Sequence, residues 1–169
     1  MKRGFTQSAI IVGLFSALAA AGGLVKIPSP VGSIALDSAP GYFVAAFFAP
    51  GLGAVVGAVG HIASASIAGM PLGGLHIPIA IVMLVWCYLF GFLARSGKSV
   101  WWLFIGCAIA VIGNGIVTPF LLVPIGLPWG VAVTILPFLV AASSLNVVAA
   151  AVAAWTMAKT KPESYSEEP

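Results

Sequence analysis

The chain has 169 residues, of which 61% are hydrophobic and only 7% charged, with a mean hydropathy of +1.15. Soluble domains carry roughly 25% charged residues. This chain therefore lacks the polar side chains to cover its own surface in water, which excludes a soluble enzyme, a nucleic-acid binder and a disordered protein.

Apolar runs separated by Pro, Gly and charge predict an all-α integral membrane protein, a bundle of six transmembrane helices, since about 20 apolar residues cross a bilayer. The first run, residues 5–25, approaches full spanning length and is read as a helix rather than a signal peptide. Ala9, Gly13, Ala17 and Ala21 form a strip of small side chains along it. Such strips let another helix approach to backbone contact, so this face is expected to dock a partner protein.

The second run, residues 39–49, ends at Pro50-Gly51. Its eleven or so residues reach only about 16 Å, against an apolar bilayer core of about 30 Å. The largely apolar segment before it, residues 26–38, is expected to be a long outer loop that dips in and closes over the bundle. Irregular backbone at that depth is tolerated only where it is buried in protein or lines a cavity. A short, Pro- and Gly-interrupted helix is a pointer to a binding site. Lys26 and Asp37 lie in this loop and Tyr42 in the short helix. Asp37 is placed either to cap that helix or to contact a ligand, and Lys26 either to contact a ligand or to snorkel to the interface.

The third run, residues 52–68, carries Gly53 and Gly57 flanked by Ala54 and Ala58, with His61 at mid-span and Ser64 one turn on. The small residues serve packing inside the chain or against a partner. The fourth run, residues 77–94, is preceded by His76 and contains Trp86 and Cys87. The fifth, residues 100–123, opens with the interfacial pair Trp101-Trp102, contains Cys107, and places Asn114 and Thr118 on one face. The sixth, residues 129–157, starts at Trp129 and ends past the interfacial Trp155, with Asn146 near its inner end read as structural. The membrane domain is expected to span residues 1–158 and a polar cytoplasmic tail residues 159–169. Both cysteines read as small buried hydrophobes.

Lys2, Arg3, Arg95, Lys98, Lys159 and Lys161 fall on one side of this arrangement and only Lys26 on the other. The positive-inside rule then places both termini in the cytoplasm. Asp37, His61, His76, Asn114, Thr118 and Trp129 project to the outer half. Ionisable and amide groups in a span are functional candidates. An apolar wall with a few convergent polar groups is what a pocket requires. Such a set suits a neutral, hydroxylated, partly aromatic solute, with one carboxylate accepting from vicinal hydroxyls and Tyr42, Trp86 or Trp129 available to a flat ring. For His61 and Asn114, internal hydrogen bonding is the competing role, and for His76 a place at the membrane interface.

Enzymatic chemistry is not expected. The segment from Gly91 to Lys98 resembles a phosphate-binding loop, but five residues separate its glycines instead of four and it starts inside an apolar run. Two histidines and one acid among the apolar runs make poor metal ligands. No cofactor is expected, and uphill movement of a solute would draw its energy from another chain.

Together, the helix-one Ala17-x-x-x-Ala21, the segment from Lys26 to Gly41, Gly60-His61 and the Gly73–His76 stretch resemble the S-components of energy-coupling factor (ECF) vitamin transporters, over roughly residues 5–158. Among these, the loops look most like the branch that imports α-ribazole, a cobalamin precursor. The resemblance implies a substrate-binding subunit in a bacterial cell membrane, capped by the loop between helices one and two. It also implies docking through the helix-one strip to a transmembrane coupling subunit, and two ATPase subunits as the energy source. By the same resemblance, Asp37 would bind the ribose and Trp129 or Trp86 the benzimidazole. Alternatives are an S-component for another small vitamin precursor, a stand-alone carrier, or a structural membrane protein without a ligand.

Overall fold

The computed structural model describes residues 4–29, 32–97 and 99–159. Lys2, Arg3, Lys98, Lys161, the remainder of the expected tail and the Lys26 side chain lie outside what is described. The chain is overwhelmingly helical: α1 (Phe5–Gly22), α2 (Ala39–Phe47), α3 (Pro50–Ile67), α4 (His76–Arg95), α5 (Val100–Ile112), α6 (Thr118–Leu122) and α7 (Trp129–Lys159). Five helical segments are long and apolar enough to cross a membrane: Phe5–Gly22, Pro50–Ile67, Gly73–Arg95, Val100–Ile125 and Trp129–Lys159. Their outward faces carry large apolar side chains such as Ile10, Ile77, Phe104 and Val152, each more than half exposed. In water a surface of that kind is an association liability; in lipid it is the solvent-facing surface.

The segment before α2 differs from the irregular loop expected. Strands β1 (Lys26–Ser29) and β2 (Gly32–Ala35) pair antiparallel, Lys26 opposite Ala35 and Ser29 opposite Gly32. A hairpin satisfies the backbone donors and acceptors of an apolar stretch internally, which an irregular loop does not. The alternation that signals a strand is hidden here by Pro28 and Pro30.

Short helix α2 is the centre of the packing. Pro40 to Ala45 are all buried. Close approach is possible because its neighbours lack side chains at the crossings. A Cβ on Gly53 of α3 or Gly91 of α4 would fall 2.3 or 2.6 Å from Ala45, and one on Gly41 would fall 2.8 Å from the Gly57 Cα. The α3 glycines thus serve packing inside the chain. Both ends of α2 are held. The Ala39 N–H donates to Asn146 Oδ1 at 2.9 Å. Arg95 donates from Nη1 to the carbonyls of Ala46 (3.0 Å) and Phe47 (3.3 Å), a cation at a helix C-terminus where the backbone carbonyls are unpaired.

Between α5 and α6 the helix widens to a π turn, Gly113–Val117. Pro119 explains it: proline has no N–H for the usual bond four residues back and its ring crowds that carbonyl. The wider turn absorbs the misfit. Thr118 donates from Oγ1 to the Gly113 carbonyl at 3.0 Å and accepts from Trp86 Nε1 at 2.9 Å. Gly113 leaves room for the Trp86 ring and Gly115 for the α7 backbone at Val140.

Candidate functional site

One cavity of about 160 Å³ opens among the hairpin exit, α3, α4, the π turn and α7. Most of its wall is apolar, from Ile79, Met83, Leu122, Leu127, Ile135 and Leu139 among others. Asp37, Ser38, His61, Ser64, His76, Asn114, Thr118, Ser143 and Asn146 supply its polar groups.

Asp37 leaves strand β2 two residues before α2 begins. Its side chain is only 12% exposed, and its one polar neighbour among the described residues is His61 Nδ1, 3.7 Å from Oδ2. That is beyond hydrogen-bond length. A carboxylate largely withdrawn from bulk water is costly unless a partner or ligand meets it. Asp37 does not cap α2: Ser38 stands at the N-cap position, and no side-chain hydrogen bond caps the helix.

The two histidines are joined. His61 Nε2 and His76 Nδ1 are 3.1 Å apart, with ring centroids 5.2 Å apart. The Leu72 backbone N–H donates to His76 Nε2 at 3.2 Å. A backbone N–H can only donate, so His76 Nε2 is an acceptor and its Nδ1 carries the hydrogen in the neutral ring. His61 Nε2 therefore accepts, and its Nδ1–H faces Asp37. Leu72 belongs to a turn with left-handed backbone at Gly69 (φ 80°), Met70 (φ 52°) and Gly73 (φ 54°). Met70 is the one residue with a side chain in that region among those described, a conformation that costs free energy and must be held by its surroundings.

Asn114 is 8% exposed and donates from Nδ2 to Ser143 Oγ at 2.8 Å. Its Oδ1 and the Ser143 hydroxyl hydrogen remain available at the cavity wall. Thr118 lines the cavity too, but its hydroxyl is spent on Gly113 and Trp86.

The structure thus brings together Asp37, His61, His76, Asn114 and Thr118 from distant parts of the sequence. It does not bring the aromatic candidates with them. Trp129 is 63% exposed and packs on Phe120. Trp86 braces the π turn, and Tyr42 is fully buried edge-on against Phe90. None of the three lines the cavity. Lys26 contributes the first residue of β1, and its side chain lies outside what is described.

Ser38, Ser64, Ser143 and Asn146 were not singled out as site residues from the sequence. Asn146 both holds the start of α2 and lines the cavity. It reaches the site because lining residues on α7 run from Val131 to Asn146, roughly 22 Å of helix at 1.5 Å per residue. The cavity therefore extends along about half the length of α7. The i, i+3/i+4 spacing of Leu139, Ala142, Ser143 and Asn146 was the signal that marks them as one face. No family model matches the chain, and no curated protein matches its sequence.

Proposed function

We propose that this chain is the solute-binding subunit of a membrane importer of the ECF type, taking up a small, non-anionic, hydroxylated aromatic solute, with α-ribazole as the best candidate. The observation that carries the reading is Asp37. It is a largely buried carboxylate for which no hydrogen bond is found among the described residues, at a mostly apolar cavity inside a bundle rich in membrane-length helices. A solute that donates hydroxyl or N–H groups supplies what the protein withholds. Asn114 Oδ1 adds a second acceptor and Ser143 a donor. Among the described residues no Lys or Arg lines the wall, which disfavours phosphates and carboxylates there.

A cavity near 150 Å³ holds a benzene-sized ring, less than a whole nucleoside; in this reading the ring lies against the leucine-lined wall and the ribose extends past Asp37 to the hairpin exit, which must give way to admit it. The hairpin then acts as the lid. In this reading six helices cross the bacterial cell membrane, α2 only partly, with both termini in the cytoplasm. Helix α1 supports a partner. Ala9, Gly13, Ala17 and Ala21 are all exposed on it, whereas Ser16 and Ala19 face the bundle. The outward strip is where a coupling subunit would sit, with two ATPases beyond it.

The test is calorimetric titration of α-ribazole into the chain in lipid nanodiscs, with affinity purification of the chain from its native membrane. Saturable binding and co-purification of an ATPase pair are expected. Absence of both would overturn the reading; binding without ATPases would favour a stand-alone carrier.

A further inference from the structure

We infer that His61 and His76 are positioning residues rather than solute contacts: they form a one-directional hydrogen-bond relay that starts at the Leu72 backbone, ends on His61 and aims its last N–H at Asp37, and adding a proton to either ring breaks it. The affinity arm of the test rests on the function proposed above; the spectroscopic arm does not.

Direction is set at the Leu72 end. Its N–H cannot become an acceptor, so His76 Nε2 must accept, His76 Nδ1–H must donate, and His61 Nε2 must accept. The remaining N–H, on His61 Nδ1, faces Asp37 Oδ2 at 3.7 Å. Its dipole orients the carboxylate without consuming it, since a full hydrogen bond would be shorter. Every ring nitrogen has its place in the relay. Three are taken up by hydrogen bonds and the fourth, His61 Nδ1, carries its hydrogen toward Asp37, so no lone pair is left for a metal ion.

A further proton has only two places to go. On His76 Nε2 it meets the Leu72 N–H; on His61 Nε2 it meets the His76 Nδ1–H. Either way a donor faces a donor and one link opens. The positive charge then draws Asp37 toward His61 and away from a bound solute, while the strained turn at Met70 loses its tie to α4. Charged or titratable groups near Asp37 from other elements are Tyr42 of α2 and Cys87 of α4, both neutral in acid by their ordinary values. The α7 and π-turn walls contribute Asn114, Thr118, Ser143 and Asn146, which do not titrate. The sign follows: solute affinity is full while both rings are neutral and falls as pH drops far enough to protonate one of them.

The sequence contains two histidines, so ¹⁵N-histidine labelling in nanodiscs gives a spectrum that single substitutions assign. At pH 7.5 both rings are expected in the Nδ1–H tautomer, and the Leu72 amide is expected to exchange faster in His76→Ala. For α-ribazole, the affinity of the native chain should fall about tenfold between pH 7.5 and 5.5, the size of one lost charge-assisted contact. The double variant His61→Gln, His76→Gln can keep the same donor direction without titrating. It should lose the acid step, whereas His76→Ala should bind roughly tenfold more weakly than the native chain at pH 7.5. An Nε2–H tautomer at either ring, micromolar zinc binding to the native chain, or an unchanged acid step in the double glutamine variant would overturn the relay. If α-ribazole binds no form while both tautomers are as expected, the relay stands and the proposed solute is wrong.

Discussion

Asp37 sits where chain order gives little warning, between a hairpin and a helix too short to span, yet it carries the chemistry of the cavity. Its acid group was conspicuous in the sequence because it is the only Asp or Glu before residue 163. Its partner was not: His61 and Asp37 lie on different elements, and only packing sets them 3.7 Å apart. Hydrogen bonds to a charged group contribute about 1.5–3 kcal/mol. Asp37→Ala should therefore weaken solute binding roughly ten- to hundredfold by titration. The thermal midpoint of the empty protein should hold or rise, because an unpartnered buried charge is removed with the side chain. A fall in midpoint together with unchanged affinity would make Asp37 structural. The aromatic candidates mislead for the converse reason. A large ring on a membrane helix serves packing, the interface or a ligand equally well, and Trp86, Trp129 and Tyr42 are told apart only by what surrounds them.

At the scale of elements, α2 is rigid by construction, clamped by Asn146 at one end and Arg95 at the other and wedged between glycines. A new Cβ at Gly53 has nowhere to go but into the Ala45 backbone, and overpacking of that kind costs about 1–3 kcal/mol. Gly53→Ala should lower the thermal midpoint in detergent. Gly13→Ala, with nothing within 4 Å of its Cβ position, should leave it unchanged. The helices themselves were legible: apolar runs bounded by Pro and Gly predicted starts and ends within a few residues, and the short helix expected over 39–49 forms over Ala39–Phe47. The π turn was not legible. Pro119 announces a disturbance, but a kink, a break and a widened turn all answer it, and the choice depends on Trp86 and α7 closing around Gly113 and Gly115. The hairpin was missed for a related reason, its prolines masking the strand pattern.

For the molecule as a whole, the distribution of small residues separates two jobs. Those of α3 and α4 are consumed by α2, while the α1 strip is exposed and nothing among the described residues approaches the Cβ position of Gly13 within 4 Å. Gly13→Leu with Ala17→Leu should leave solute binding intact and abolish co-purification of a coupling subunit, as read by affinity capture from native membranes. Loss of binding in that variant would instead show that the strip packs within the protein. The convergence of His61, His76, Asn114 and Thr118 with Asp37 was expected from the order of the apolar runs, which directs all five toward one side of the bundle. Asn146 broke that scheme because the cavity runs far along α7. The most direct measurement is mass spectrometry of small molecules released from the chain purified without added ligand, native beside Asp37→Ala. A neutral or cationic aromatic compound with hydroxyl or N–H donors, released by the native protein and missing from the variant, is the predicted result. Release of nothing from the native protein, or of the same compound from both, would contradict it.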